Sequence, residues 1–417
     1  MKTPFSLAVA ISVLSVCLNG CSSSPSSPSA SKPAPAAATA TPAATPPPAA
    51  PIPVEVFETA ILSAANTLLG KASLPAGGQH MLVIDPLIDG MTGEQTAASR
   101  AMGERIARLV RERYAQQYAV QPFNRNTVVR APLVLIGTLT PINREGRTEG
   151  DRDIYRICLA LADLRASRIV GKGVARALPA GVDGVATAFY QDSPAWGLDV
   201  ATAGYIKTCQ GTRPGDPMDP AYLDRIVLGA LISEGIDHYN AGRYKDALGI
   251  YTEAHGMPGG AEQLRVMNGL YLSNARLKRT RDATAAFDRI VDHGLRSKRL
   301  PVKLLFRPGG SNYVADASIS GAYPMWLERI ARAAVASKTS CLEVQGHSGP
   351  AGSEQARERI AKQRADFVRT RLVTAQPSLA KRVTALGMGS REALVGTGRD
   401  DASDVLDRRV SFRLSDC

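Results

Sequence analysis

The chain has 417 residues, 44% of them hydrophobic, with 50 Lys and Arg against 38 Asp and Glu for a formal net charge of +12. That length exceeds one ordinary hydrophobic core and predicts two or three domains. The positive excess suits an anionic surface such as a wall polymer or lipid headgroups, and would also suit nucleic acid.

Met1 to residue 20 combines Lys2, an apolar run from Phe5 to Leu18 and the sequence Leu18-Asn19-Gly20-Cys21. This pattern reads as a secretory signal with a cleavage site before Cys21, too short to span a bilayer. It resembles the signal of bacterial lipoproteins. That resemblance implies a lipidated Cys21 and, with Ser22 following it, an outer-membrane address. Export removes nucleic acid from the list of partners. Residues 21–53 are Pro, Ala and Ser with almost no charge. Such a segment cannot bury enough apolar surface to order itself, and its prolines make it an extended tether of several tens of ångströms.

Order is expected from Val54. Phe57, Ile61, Ala65 and Leu68 keep helical spacing, and Met81–Leu87 reads as a buried strand. Thr92 and Gln95 predict a capping-box start for a helix to about Tyr114, with Met102, Ile106, Leu109 and Val110 inward. Leu133–Leu139 is a second buried strand. Alternation from Tyr155 to Leu161, then Ile169 to Val174, predicts a hairpin. Residues 54–216 therefore form an α/β domain, loosely similar in element order to the small domains of curli-assembly lipoproteins and of lipoprotein activators of cell-wall synthases. The arginines on the helix (Arg105, Arg108, Arg111, Arg113) read as a solvated face.

The Pro- and Gly-rich stretch Cys209–Pro220 marks a boundary. In residues 221–297, Gly235, Tyr239, Gly242, Tyr244, Ala247, Tyr251 and Ala254 take the spacings of a tetratricopeptide repeat. Ala283 and Phe287 repeat Ala247 and Tyr251 after 36 residues. Two repeats are too few for a free-standing solenoid, so the pair either leans on its neighbours or serves as a docking face.

Residues 301–417 predict a strand (Val302–Phe306), a helix (Tyr323–Ala336), a strand (Leu342–Gln345), a glycine-rich turn and a long helix capped by Ser353. Two more strands, near Arg382–Leu386 and Arg408–Leu414, close the domain. The long helix carries an apolar stripe interrupted by Arg364. A guanidinium on a core-facing sector is costly unless something anionic meets it. Helical side chains lean toward the N-terminus, so Arg364 should reach the Gly346–Ser348 turn, whose amides also favour an anion. Residues and spacing therefore point to a carboxylate or phosphate site.

The turn Gly346-His347-Ser348, the pair Gly352-Ser353, Arg364-Ala365 and the run Asp407-Arg408-Arg409-Val410 fall where the C-terminal, peptidoglycan-binding domain of outer-membrane protein A and its relatives has GHTD, GS, RA and NRRV. The resemblance covers residues 301–417. It implies that Arg364 binds a stem-peptide carboxylate, supported by His347 and Ser348, with Arg408 and Arg409 nearby. The family aspartate that receives the diaminopimelate ammonium is Gly349 here, and the asparagine of NRRV is Asp407. The resemblance therefore implies that carboxylate recognition is kept and the ammonium loses its usual partner.

Four cysteines lie beyond the anchor, Cys158, Cys209, Cys341 and Cys417, and in an oxidising compartment they allow three disulfide connectivities. In the resembled fold the strands holding Cys341 and Cys417 are antiparallel neighbours. That implies the pair Cys341–Cys417, with Cys158–Cys209 as the remainder. Scattered histidines show no metal site, and no cofactor is implied. Gly346-His347-Ser348-Gly349-Pro350 fails as a nucleophile elbow, because its second glycine is Pro350 and no histidine follows His347. The expectation is a multidomain α/β and α+β protein that is not an enzyme and binds peptidoglycan from a lipid anchor in the outer membrane. The alternative is a periplasmic scaffold that recruits a protein partner through its first two domains.

Overall fold

The computed structural model describes residues 52–74, 76–337 and 340–417. The signal, Cys21 and nearly all of the tether lie outside these residues. From Pro51 onward the chain forms one compact unit. Among the described residues no helix is long and apolar enough to cross a membrane.

The first part is a sheet with helices on both faces. Its strands are β1 (Val54–Glu55), β2 (His80–Ile84), β3 (Ile88–Asp89), β4 (Tyr118–Gln121), β5 (Leu133–Ile142), β6 (Ile154–Asp163) and β7 (Arg168–Ala177), in the order β1-β7-β6-β5-β2-β4 with β3 beside β5. β2 runs parallel to both β4 and β5, while β5, β6 and β7 form an antiparallel meander. Every residue of β5 is buried, as its unbroken apolar run requires of a strand covered on both faces. Helices α1 (Phe57–Gly70) and α2 (Ala97–Arg113) cover one face with a core around Leu68, Met102, Ile106 and Leu135. Short helix α3 (Arg125–Val128) follows β4 and α4 (Ala188–Asp192) follows β7. Helices α5 (Val200–Gln210) and α6 (Pro220–Leu223) cover the opposite face through Tyr205, Cys209 and Tyr222. The helix expected to start at a Thr92–Gln95 box begins later. Thr96 accepts from the Ser99 amide and Ser99 returns the bond, because Asp89 has already engaged Thr92 in a turn.

Four helices follow as two antiparallel hairpins: α7 (Ile226–Asn240), α8 (Tyr244–Gly256), α9 (Leu264–Arg276) and α10 (Thr280–Arg296). Tyr251 sits between them, fully buried. A Cβ placed on Gly269 would come within 2.4 Å of its ring, and one on Gly235 within 2.9 Å. Both glycines are there for close approach. The hairpins lean on both neighbours. Ile226 and Ala230 of α7 join the core under the first sheet, and Phe287 stacks on Trp326 of the C-terminal part with ring centroids 5.4 Å apart.

The last part contains β8 (Arg299–Leu305), α11 (Ala317–Ser320), α12 (Tyr323–Ala336), β9 (Ser340–Gly346), α13 (Glu354–Ala375), β10 (Val383–Gly387) and β11 (Arg409–Asp416), with sheet order β10-β9-β11-β8. β8 would be a bare edge. It is covered instead by Pro194–Trp196, which pairs across Ala195 and Val302: Trp196 N–H donates to Pro301 at 2.8 Å and Lys303 N–H to Pro194 at 2.9 Å. Cys341 and Cys417 are joined by a disulfide. Cys158 and Cys209 are not. Their sulfurs lie 3.3 Å apart as buried thiols between β6 and α5, so the expected second disulfide is absent from this structure. The Cys209 thiol, with Lys172 nearby, holds the Cys158 thiol below the usual thiol range.

Candidate functional site

The turn after β9 and the start of α13 are held together by close backbone packing. A Cβ on Gly346 would lie 1.9 Å from the Ala361 carbonyl, so only glycine lets the strand end meet the helix. Ser353 caps α13 by accepting from the Ala356 amide at 3.3 Å. Arg364, about three turns after the Ser353 cap, reaches back as its helical direction requires.

What meets its guanidinium is not an anion. Arg364 donates from Nε to Gly310 at 2.8 Å, from Nη1 to His347 at 2.7 Å and from Nη2 to Arg307 at 3.0 Å, all backbone carbonyls. Its cationic carbon stands 5.5 Å from the centre of the Phe306 ring. The side chain is 1% exposed, and burial with Arg408 nearby lowers its pKa to about 10. The expectation of an anionic partner is thus replaced by three carbonyl dipoles and an aromatic face, which satisfy a buried guanidinium without a counter-ion. Arg364 ties the loop after β8 to the turn after β9.

Arg408 and Arg409 are equally engaged, each 4% exposed. Arg408 donates to Asp400 Oδ1 at 3.0 Å and to the Asp401 carbonyl at 2.7 Å. Arg409 donates to the Leu406 carbonyl at 3.1 Å and lies over Trp196 at 5.7 Å, with burial lowering its pKa to about 10. His347 is fully buried, with Nε2 2.9 Å from Ser411 Oγ. Burial, aided by Arg409, lowers its pKa to about 2, so the ring is neutral at any physiological pH. The Ser348 amide donates to Gly389 at 2.9 Å, while its buried hydroxyl has no partner among the described residues. Of the expected ligands, Ser348 through Oγ, His347 through Nδ1 and Arg409 through Nε each keep a buried group with no hydrogen-bond partner among the described residues.

Gly349 is open: the nearest atom to a Cβ there is Asp407 Cβ at 3.9 Å. The Asp407 carboxylate itself is fully buried and accepts the amides of Leu394 (2.6 Å), Val395 (2.9 Å) and Gly396 (2.7 Å). From the other side Arg152, in the β5–β6 loop, donates to the carbonyls of Ala393 (2.9 Å), Leu394 (2.6 Å) and Val395 (3.1 Å). The loop bordering the turn is therefore held between an aspartate of its own domain and an arginine of the first. Sequence reasoning missed Arg152, since nothing local distinguishes it from the charged residues around it.

Residues 315–405 match the OmpA family model. Among solved structures, the chain is similar to the peptidoglycan-associated lipoprotein of Burkholderia pseudomallei, at 20% identity over 28% of this chain and 92% of that one, with a TM-score of 0.23. It is also similar to the periplasmic domain of Helicobacter pylori MotB, at 17% identity over 27% of this chain and 70% of that one, with a TM-score of 0.22. No curated protein matches. On the family match, the C-terminal domain is OmpA-like.

Proposed function

We propose that the chain is an outer-membrane lipoprotein, anchored at Cys21, whose C-terminal domain holds peptidoglycan without a covalent bond. The observation that carries this reading is the Gly346-His347-Ser348 turn, tied to Arg364 of α13 within the segment that matches the OmpA family. A stem-peptide carboxylate is received by the Ser348 hydroxyl and the amides at the start of α13, where the helix dipole adds favourable potential. Arg364 shapes the turn and supplies positive charge from behind it. This replaces the bidentate pairing expected from the sequence, because three of its N–H groups already serve carbonyls. Such a site gives millimolar to micromolar affinity, roughly 4–8 kcal/mol, and many copies in one membrane make attachment firm.

The test is co-sedimentation of the chain with purified sacculi, comparing wild type with Ser348→Ala and Arg364→Lys, and with circular dichroism to confirm folding. Loss of pelleting by folded Ser348→Ala supports the site. Unchanged pelleting of both variants overturns it. A second reading, a scaffold for a periplasmic protein partner, is favoured by one observation: Arg408, Arg409 and the Ala393–Gly396 loop are all engaged inside the chain. In that reading even the wild type stays in the supernatant.

A further inference from the structure

A cavity of about 300 Å³ lies between the first sheet and the OmpA-like domain. Its walls are mostly apolar, with Leu139, Tyr155 and Val182 on one side and Leu305, Ile319 and Leu406 on the other. That volume is far beyond a packing defect and falls at the lower end of small-molecule sites, which favour such domain boundaries. Five charged residues also line it: Asp89, Glu94, Lys303, Arg408 and, at the start of α11, Asp316, which accepts from the Ser318 amide at 2.8 Å.

Their hydrogen bonds decide which charge a ligand should bring. The cations are engaged. Lys303, 4% exposed, donates to Glu94 Oε1 at 3.2 Å and to the Tyr190 carbonyl at 2.9 Å. Arg408 is held by Asp400 and the Asp401 carbonyl. The first amides of α2 are taken as well, Ala97 by Val185 and Ala98 by Asp183, both at 2.8 Å. Among the described residues, then, both cations of the cavity are already engaged and neither is left unpaired for an anion.

The carboxylates differ. Asp89 takes its bonds from Met91 N–H (2.8 Å), Thr92 N–H (2.7 Å) and the Thr92 hydroxyl (3.1 Å), all on Oδ1, and Oδ2 receives none from the described residues. Glu94 is bonded through Oε1 alone. Burial raises both acids, and Asp89 raises Glu94 further, while Lys303 acts on Glu94 and Arg152 on Asp89 in the opposite sense.

We propose that this cavity binds an amphipathic cation, with an aliphatic body against the apolar walls and a primary ammonium on the free oxygens of Asp89 and Glu94. The assignment rests on the cavity and its hydrogen bonds, and stands apart from the wall-binding reading.

The test uses the full-length chain with Cys21→Ser, so that no lipid is attached, and titrates it calorimetrically with decylammonium, decanoate and decanol. Two variants accompany it. Asp89→Asn keeps the Oδ1 acceptor and its turn while removing the charge. Ala186→Phe fills the cavity from a position that lines it. We expect saturable binding of decylammonium about tenfold tighter than decanoate, as one charge-assisted contact gives. Asp89→Asn should lose about that factor for the amine and leave decanol unchanged, and Ala186→Phe should abolish binding in a chain of unchanged far-ultraviolet dichroism. Decanoate binding as tight as the amine, amine binding that survives Ala186→Phe, or no saturable binding would each overturn the proposal.

Discussion

Arg364 illustrates how a residue can be found from its sequence position and still be given the wrong partner. An arginine on an apolar stripe signals a compensated charge, but carbonyl dipoles compensate as well as a carboxylate does. At the same scale, Gly349 has the space for the family aspartate. Gly349→Asp should therefore raise sacculus binding several-fold, roughly 1 kcal/mol, read as the fraction pelleted at fixed wall concentration. His347 sets a pH dependence. Its folded pKa of about 2 lies below the unfolded value of 6.5, so the unfolded chain binds the extra proton between these limits. The neutral ring's contribution is present above 6.5 and is lost as pH falls. Between pH 7 and pH 5 the loss is about 2 kcal/mol. Urea midpoints at the two pH values should show a smaller drop for His347→Gln than for wild type.

At the scale of elements, the helical hairpins are organised by one aromatic ring. Gly269→Ala gains about 1 kcal/mol of helix propensity, while overpacking against Tyr251 costs about 1–3 kcal/mol. With a Cβ only 2.4 Å from the ring, the cost should win. A net loss of up to about 2 kcal/mol, read as a lowered urea midpoint, is the expected result, and an unchanged midpoint would mean that Tyr251 can swing away. The loop before Arg408 depends on Arg152 in the same way. Arg152→Met removes three hydrogen bonds from part-buried carbonyls and takes a positive charge away from Asp407. Tryptic cleavage at Arg391 and Arg399 should then accelerate by an order of magnitude or more, since a buried donor lost from such a network costs about 2–4 kcal/mol.

The whole molecule from Pro51 onward shares its cores across the segments that sequence separates. Phe189 and Ala195 of the first part, Tyr251 of the hairpins and Leu414 of the last strand belong to one buried cluster. Trp326 donates to Tyr271 at 2.9 Å, and Arg329 pairs with Asp288. Unfolding should accordingly be a single transition, with tryptophan fluorescence and far-ultraviolet dichroism coinciding in urea. Separate transitions for the two probes would show that the cross-contacts are too weak to couple the parts.

The sequence by itself determined the element types and the identity of the last domain. Both rest on local signals: apolar period, caps, and glycines at fixed distances from Ser353 and Arg364. Buried strands such as β5 and amphipathic helices such as α12 were legible because each side chain's burial follows from its own neighbours in the chain. Tertiary structure alone decided the rest. The edge strand at Pro194–Trp196, the clamp of Arg152 on the Ala393–Gly396 loop and the cavity between Leu139 and Leu406 all join residues more than 100 positions apart. No periodicity marks such partners, because a backbone carbonyl or an edge amide is the same group in every residue.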